Sequence, residues 1–241
     1  MATIHMLLQG KGGVGKSLVA SLLFQYLKTR EIPVKGFDTD PVNNTFAGYK
    51  EFDVQSLDIM NGDDIDQRRF DHLIENLSEL PEDMHIVVDN GASCFVALCS
   101  YLKDNGALPF LMENGHELYI HTLVTGGLAL PDTLKGLHSL TNHFPDVPIV
   151  VWLNPYYGDI ILDGSDFFHF KVYTEKSESF KAVIQLPQLK AGTFGKDMED
   201  LLARRMSFEA AVKSNIHLMA RQRLAMTWRK IQGAIDQAFL I

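Results

Sequence analysis

The sequence predicts a three-layer α/β sandwich, a mostly parallel sheet with helices on both faces, on three observations. Short apolar runs alternate with helical patterns along most of the chain, as in successive βα units. The runs are continuously apolar rather than alternating, as expected of strands covered on both sides; residues 86–88 read Ile-Val-Val, as do 149–151. Each run ends in polar or glycine residues, where open parallel sheets bind their ligands.

Residues 4–9 form the first predicted strand, followed by a glycine-rich loop and a helix from 16 to about 30. A short second strand covers 34–37. The acidic segment 53–67 reads as a loop ahead of a helix at 68–80, and 85–89 as the third strand. The fourth, 118–124, is closed by Thr125-Gly126-Gly127 and followed by a helix through 140. Residues 149–153 and 182–186 are the fifth and sixth, separated by an irregular insertion at 154–179 that is rich in aromatic, Asp and Gly residues. Near the C-terminus, Leu224, Trp228, Ile231, Ile235 and Phe239 recur at helical steps and make one apolar face. No repeat or low-complexity linker interrupts the pattern, so residues 1–241 are expected to form one domain.

Composition is ordinary for a soluble protein, with 46% hydrophobic and 22% charged residues in 241. Such a chain can bury a two-sided sheet without disulfides or structural metal. Cys94 and Cys99 match no zinc spacing and are expected to be buried thiols in a reducing cytosol. The first eight residues carry no basic leader, and no apolar stretch is long enough to span a bilayer, so a cytoplasmic protein is expected. The net charge of −8 opposes a surface that coats nucleic acid throughout. It is uneven, however: Arg204, Arg205, Lys213, Arg221, Arg223, Arg229 and Lys230 outnumber Glu209 and Asp236 beyond residue 200 and leave room for a basic face.

Gly10-Lys11-Gly12-Gly13-Val14-Gly15-Lys16-Ser17 satisfies the phosphate-loop pattern G-x-x-x-x-G-K-[ST], in its required place between a strand and a helix. Glycines let backbone N–H groups curl around a phosphate, Lys16 can reach its outer oxygens, and the Ser17 hydroxyl can ligate Mg²⁺. Leu18 follows in the first turn of the helix, whose positive end faces the phosphates. The fold expected is therefore that of P-loop NTPases, with ATP and Mg²⁺ as cofactors.

Lys11, directly after the first glycine, makes this loop resemble the deviant Walker A motif of the ParA/MinD family. That family includes plasmid-partition ATPases, cell-division-site regulators and the nitrogenase iron protein. The resemblance implies that Lys11 reaches a partner's nucleotide and that ATP sandwiches two subunits into a homodimer. Phe37-Asp38-Thr39-Asp40-Pro41 resembles the family's first switch. By that resemblance Asp40 orients or deprotonates the attacking water, while Asp38 stands in the outer shell of the magnesium. A simple Asp-Pro turn is the competing explanation. Asp89 closes an apolar run and is the candidate to bind Mg²⁺ through water. The sequence after it, Asn90-Gly91-Ala92-Ser93, lacks the proline of the family pattern and brings its glycine two positions early. Slow hydrolysis or a differently shaped switch is expected there. Asn154-Pro155 and the segment before Pro187 resemble the family's adenine-binding features, though a capping Asn and a turn Pro account for both as well.

Across its length the chain resembles the TraL/StbB group of conjugative plasmids. The resemblance rests on residues 9–17, 38–43, 89–93, Gly115-His116-Glu117-Leu118 and 151–155, with a looser match at 221–224. It implies a role in plasmid transfer or stability, with a plasmid-transfer protein as partner. The arginines of the last helix are candidates for non-specific DNA binding, partner binding or membrane contact, or stand in solvent while the helix packs on the sheet. His116 and His121 are spaced wrongly for two zinc ligands on a helix and lie on a predicted strand, which argues against a zinc site; His121 is kept as a candidate neighbour of the site. Three mechanisms are weighed: a hydrolysing dimeric switch, an ATP-dependent adaptor with negligible hydrolysis, and a phosphotransferase acting on a small metabolite.

Overall fold

The computed structural model describes residues 1–238. Seven strands make one sheet: β1 Thr3–Leu7, β2 Val34–Asp38, β3 Val54–Ser56, β4 His85–Asp89, β5 Glu117–Thr125, β6 Ile149–Asn154 and β7 Phe180–Gln185. Their order is β7-β6-β5-β1-β4-β2-β3, and every pairing is parallel. The helices are α1 Lys16–Thr29, α2 Phe70–Ser78, α3 Phe95–Asp104, α4 Ala107–Glu113, α5 Leu130–His143, α6 Lys171–Lys176, α7 Lys196–Ala203, α8 Phe208–Lys213 and α9 Leu218–Ala238.

Alternate residues of each strand feed two separate cores, because successive side chains leave a strand on opposite faces. Ile86 and Val88 join Leu73, Leu98, Leu108 and Leu137 under α2–α5. Val87 joins Leu23, Leu201, Phe208 and Ile231 under α1 and α7–α9. This is the expected three-layer sandwich. In α9, Leu224, Ile231 and Ile235 are buried, as the periodicity requires, whereas Phe239 lies outside the described residues.

Two segments differ from expectation. Residues 53–67 contain the edge strand β3 and a two-residue-per-arm hairpin, Met60–Asn61 with Asp64–Ile65. Such short arms carry too little periodicity to show in sequence. The insertion at 154–179 contains another small hairpin, Ile161–Leu162 with Ser165–Asp166, and is anchored by Phe167 and Phe170 in the core. Helices α3 and α4 occupy a stretch to which no element was assigned. Among the described residues, no helix is long and apolar enough to cross a membrane.

A row of polar rings crosses four adjacent strands on the α1 face. Trp152 Nε1 donates to His121 Nδ1 at 2.9 Å, His121 Nε2 meets His5 Nδ1 at 3.0 Å, and His5 Nε2 meets His85 Nδ1 at 3.0 Å. Indole can only donate, so neutral His121 must carry its proton on Nε2, and the same polarity passes to His5 and His85. Burial holds the pKa of His121 down to about 3 and that of His5 well below the usual value.

Candidate functional site

The loop between β1 and α1 turns on Gly15, whose φ of 106° lies in the left-handed region that glycine adopts without strain. Helix α1 begins there with no side-chain cap and no acidic residue in its first turn, leaving its leading N–H groups for an anion. Lys16 Nζ donates to Lys11 O at 3.1 Å. Burial lowers the Lys16 pKa, while Asp89 and Asp40 push it back up. Gln9 props the loop from beneath, accepting from Lys11 N at 3.3 Å and donating to Leu123 O at 2.8 Å.

Two cavities open beside this loop and share Gly13, Gly15 and Leu18. The first, about 500 Å³, is lined by Gly12, Lys16 and Ser17 together with Asp40 and Ala92-Ser93. The second, about 550 Å³, is largely apolar and includes Val14, Asn154, Tyr156, Tyr157, Pro187 and Met198 in its lining. The base-pocket candidates Asn154 and Pro187 therefore come together next to the loop. Asn154 also supports it, donating from Nδ2 to Val14 O at 3.0 Å, while Tyr157 donates to Gly13 O at 3.2 Å. The tyrosine pair was not among the sequence candidates; only the aromatic richness of 154–179 pointed toward it.

The carboxylates converge from neighbouring strand ends. Asp38 is buried, accepting from Asp40 N at 3.0 Å and Ala47 N at 2.9 Å, and burial raises its pKa. Asp40 Oδ1 accepts from the N–H groups of Val42 and Asn43 at 2.9 and 3.1 Å. Its turn is thus real, and it faces the phosphate-side cavity as well. Asp89 is 1% exposed, and neither carboxylate oxygen meets a protein donor at good hydrogen-bond geometry. Burial pushes its pKa up to about 7; the nearby Ser17 hydroxyl and Lys16 pull down, and Asp38 and Asp40 push further up. A buried carboxylate without partners is costly unless a cation approaches. Were Mg²⁺ to bind here, Ser17 and Asp89 would be the residues to hold it, with Asp38 behind.

The loop after Asp89 closes on the first switch. Thr39 N donates to Asp89 O at 2.9 Å, and the Thr39 hydroxyl meets Asn90 Oδ1 at 3.3 Å. A Cβ on Gly91 would lie 2.8 Å from Asp40 Cγ and 3.0 Å from its Cα, so glycine at this position permits the approach.

Other candidates fall elsewhere. Lys11 lies at the exposed rim, its Nζ 2.8 Å from Asp132 Oδ2. His121 is no neighbour of the site; it is fully buried in the ring row and lines neither cavity. Its position in mid-strand, on the α1 face, sends it into the core. Part of the C-terminal basic charge is matched: Arg223 pairs with Asp197 and Lys213 with Glu209, while Arg221 donates to Ser214 O. Arg204, Arg205, Arg229 and Lys230 remain exposed. Cys94 and Cys99 are buried free thiols.

Comparison with known proteins agrees with this geometry. Residues 5–236 match the CobQ/CobB/MinD/ParA nucleotide binding domain. A TraL protein of Escherichia coli is 45% identical over 243 aligned positions, covering 100% of both chains. The septum site-determining protein MinD of Pyrococcus horikoshii OT3, complexed with Mg-ADP, superposes with a TM-score of 0.50 at 16% identity over 100% of both chains. A putative plasmid partition protein of Borrelia burgdorferi B31, bound to AMPPNP, does so with a TM-score of 0.50 at 13% identity, over 99% of this chain and 100% of that one. Loop, sheet order and full-length similarity converge on one assignment: the chain belongs to the CobQ/CobB/MinD/ParA nucleotide-binding domain family.

Proposed function

We propose that the chain, as a single domain, binds ATP with Mg²⁺ and hydrolyses it as a dimeric switch serving plasmid transfer or stability in the cytoplasm. The observation that carries this reading is the pair of neighbouring cavities that share Gly13, Gly15 and Leu18 in their linings, one largely apolar and the other lined by Lys16, Ser17 and Asp40. They match the two ends of a nucleoside triphosphate. The base enters between Asn154 and Pro187, and the phosphates lie along Gly10–Ser17 with Lys16 on their outer oxygens. Ser17 and Asp89, with Asp38 behind, would hold a magnesium ion, which would supply positive charge to offset that of the phosphates. Asp40 orients the attacking water from the cavity wall. Lys11, at the rim, would leave its Asp132 partner to reach a second copy, as its family resemblance implies. The full-length similarity to TraL supports the plasmid-transfer setting and a transfer protein as partner. The exposed arginines Arg204, Arg205 and Arg229 are the residues left for DNA.

One observation favours a second reading, an adaptor in which occupancy alone matters. Asp40 Oδ1 is already engaged by two backbone N–H groups, which limits its freedom to act on water.

Light scattering of wild type and Lys11→Ala with and without MgATP tests the sandwich. Wild type is expected to dimerise with ATP and the variant to stay monomeric; equal dimerisation of both removes the bridging role. Phosphate release by Asp40→Ala separates switch from adaptor. A rate equal to wild type would remove Asp40 from the chemistry.

A further inference from the structure

The Asn90 side chain sits where two loops of the phosphate-side cavity cross, and it is 1% exposed. Its Oδ1 lies 2.8 Å from the Cys94 thiol and 3.3 Å from the Thr39 hydroxyl, which stands equally 3.3 Å from Asp89 O, and its Nδ2 donates to Gly91 O at 3.0 Å. The Gly91 carbonyl can only accept, so the amide nitrogen must face it and the oxygen must face the two donors. The Cys94 sulfur also lies 3.4 Å from Thr39 O and 3.3 Å from Gly91 O. Backbone bonding adds Thr39 N to Asp89 O at 2.9 Å. Loop 38–43 is thus tied to loop 89–94 by a buried polar knot, in which the Asn90 carboxamide oxygen faces Thr39 and Cys94 and its nitrogen faces Gly91 O.

Asp40 is the next residue after Thr39. Its Oδ1 is held in the turn by Val42 and Asn43, and no hydrogen bond to a described residue holds its Oδ2. Gly91 presses against its Cα and Cγ, closely enough that a Cβ would lie 3.0 and 2.8 Å away. Asp40 therefore has its place set from the far loop.

We propose that Asn90 is a positioning residue for Asp40, binding Thr39 and Cys94 together so that the two loops lining the phosphate cavity keep one spacing and move as a unit. This rests on the reading of Asp40 as the water-orienting group. The Asn-Gly pair then takes the place of the missing proline in this loop: a side-chain crossbeam replaces a stiff backbone. A misplacement of about 1 Å in a catalytic group can cost up to about a hundredfold in rate, so a loosened crossbeam registers in turnover more than in binding.

The experiment uses the full chain with MgATP and two readouts, phosphate release and amide hydrogen exchange of residues 40–43 without nucleotide. Asn90→Ala is expected to lower kcat about tenfold, leave KM within about twofold, and speed exchange at Val42 and Asn43. Thr39→Val, nearly isosteric, is expected to do the same if the hydroxyl matters, and Thr39→Ser to rescue. Wild-type kcat and unaltered exchange in both Asn90→Ala and Thr39→Val overturn the proposal, as does a Thr39→Ser variant as impaired as Thr39→Val. Should the wild type release no phosphate, the hydrolytic reading fails, and the exchange readout still decides the crossbeam: faster exchange in Asn90→Ala supports it, and unchanged exchange sinks it.

Discussion

Lys11 and Asp132 form an ion pair at 2.8 Å between the phosphate loop and the first turn of α5. The ammonium that family resemblance sends to a second subunit is held by its own chain. Lys11 also draws the Asp132 pKa below the usual carboxylate range.

Asp132→Ala is therefore expected to ease ATP-dependent dimerisation. Both groups are half-exposed, and exposed ion pairs are weak, so the gain is a few-fold in the protein concentration at half-dimer. Analytical ultracentrifugation across a concentration series with MgATP reads it directly. A variant that dimerises less readily than wild type would mean that Asp132 assists the bridge instead of competing with it.

Gly91→Ala places a methyl against Asp40. The expected result is a kcat lowered about tenfold or more through displacement of Asp40, with fluorescent-nucleotide affinity nearly retained. Equal losses in both would show a general collapse of the cavity rather than a displaced carboxylate.

Asn154 serves the apolar cavity and the loop together, since it lines the former and donates to Val14 O at 3.0 Å. Its truncation leaves a carbonyl of the loop without its buried donor, at a cost of about 1–3 kcal/mol. Asn154→Ala is predicted to weaken nucleotide binding about tenfold and to lower the thermal midpoint without nucleotide. Calorimetry of wild type and Asn154→Ala with MgATP and MgADP checks this, and unchanged affinity would remove Asn154 from the binding site.

The ring row makes stability depend on pH in a definite sense. His121 stays neutral in the fold down to about pH 3, whereas an unfolded histidine titrates near 6.5. Stability from this group is full above about pH 6.5 and falls as pH drops toward the folded pKa, because the unfolded chain then binds the extra proton. His5 acts in the same sense; Asp89, with its pKa raised, acts in the opposite one. Comparing wild type with His121→Gln cancels the Asp89 contribution, while that of His5, which touches His121 directly, changes along with it. Between about pH 6 and 4.5, urea unfolding should show a wild-type slope steeper by about one proton, or ~1.4 kcal/mol per pH unit. Parallel profiles would refute the neutral assignment of His121.

How much of this was legible in the sequence depends on the range of the interaction. The phosphate loop is contiguous, so Gly10–Ser17 announced itself and the adjoining helix with it. Strands β4 and β6 were readable because burial on both faces gives each a continuous apolar run, Ile86–Val88 and Ile149–Leu153. Strand β3 was not, since three residues at an edge, with Gln55 and Ser56 exposed, leave no pattern. His121 misled for the same reason in reverse: a polar residue in an apolar run suggests a site, and only the fold reveals Trp152 and His5 as its partners. The Lys11–Asp132 pair and the Asn90–Thr39 contact join residues 121 and 51 positions apart, and nothing local in a single sequence encodes such pairings. The Asn-Gly departure after Asp89 was visible; that it serves as a tie between loops was not.

The segment 154–179 is also no detachable ornament. Asn154 and Tyr157 grip the phosphate loop, the Gly158 carbonyl lies where a side chain at Gly126 would go, and Phe167 and Phe170 are sunk in the core. For an engineer it is a strap sewn down at several points, with slack only at the exposed tip around Asp163-Gly164. A label or short peptide inserted at that tip should be tolerated, whereas trimming the strap would unpick the nucleotide site from outside.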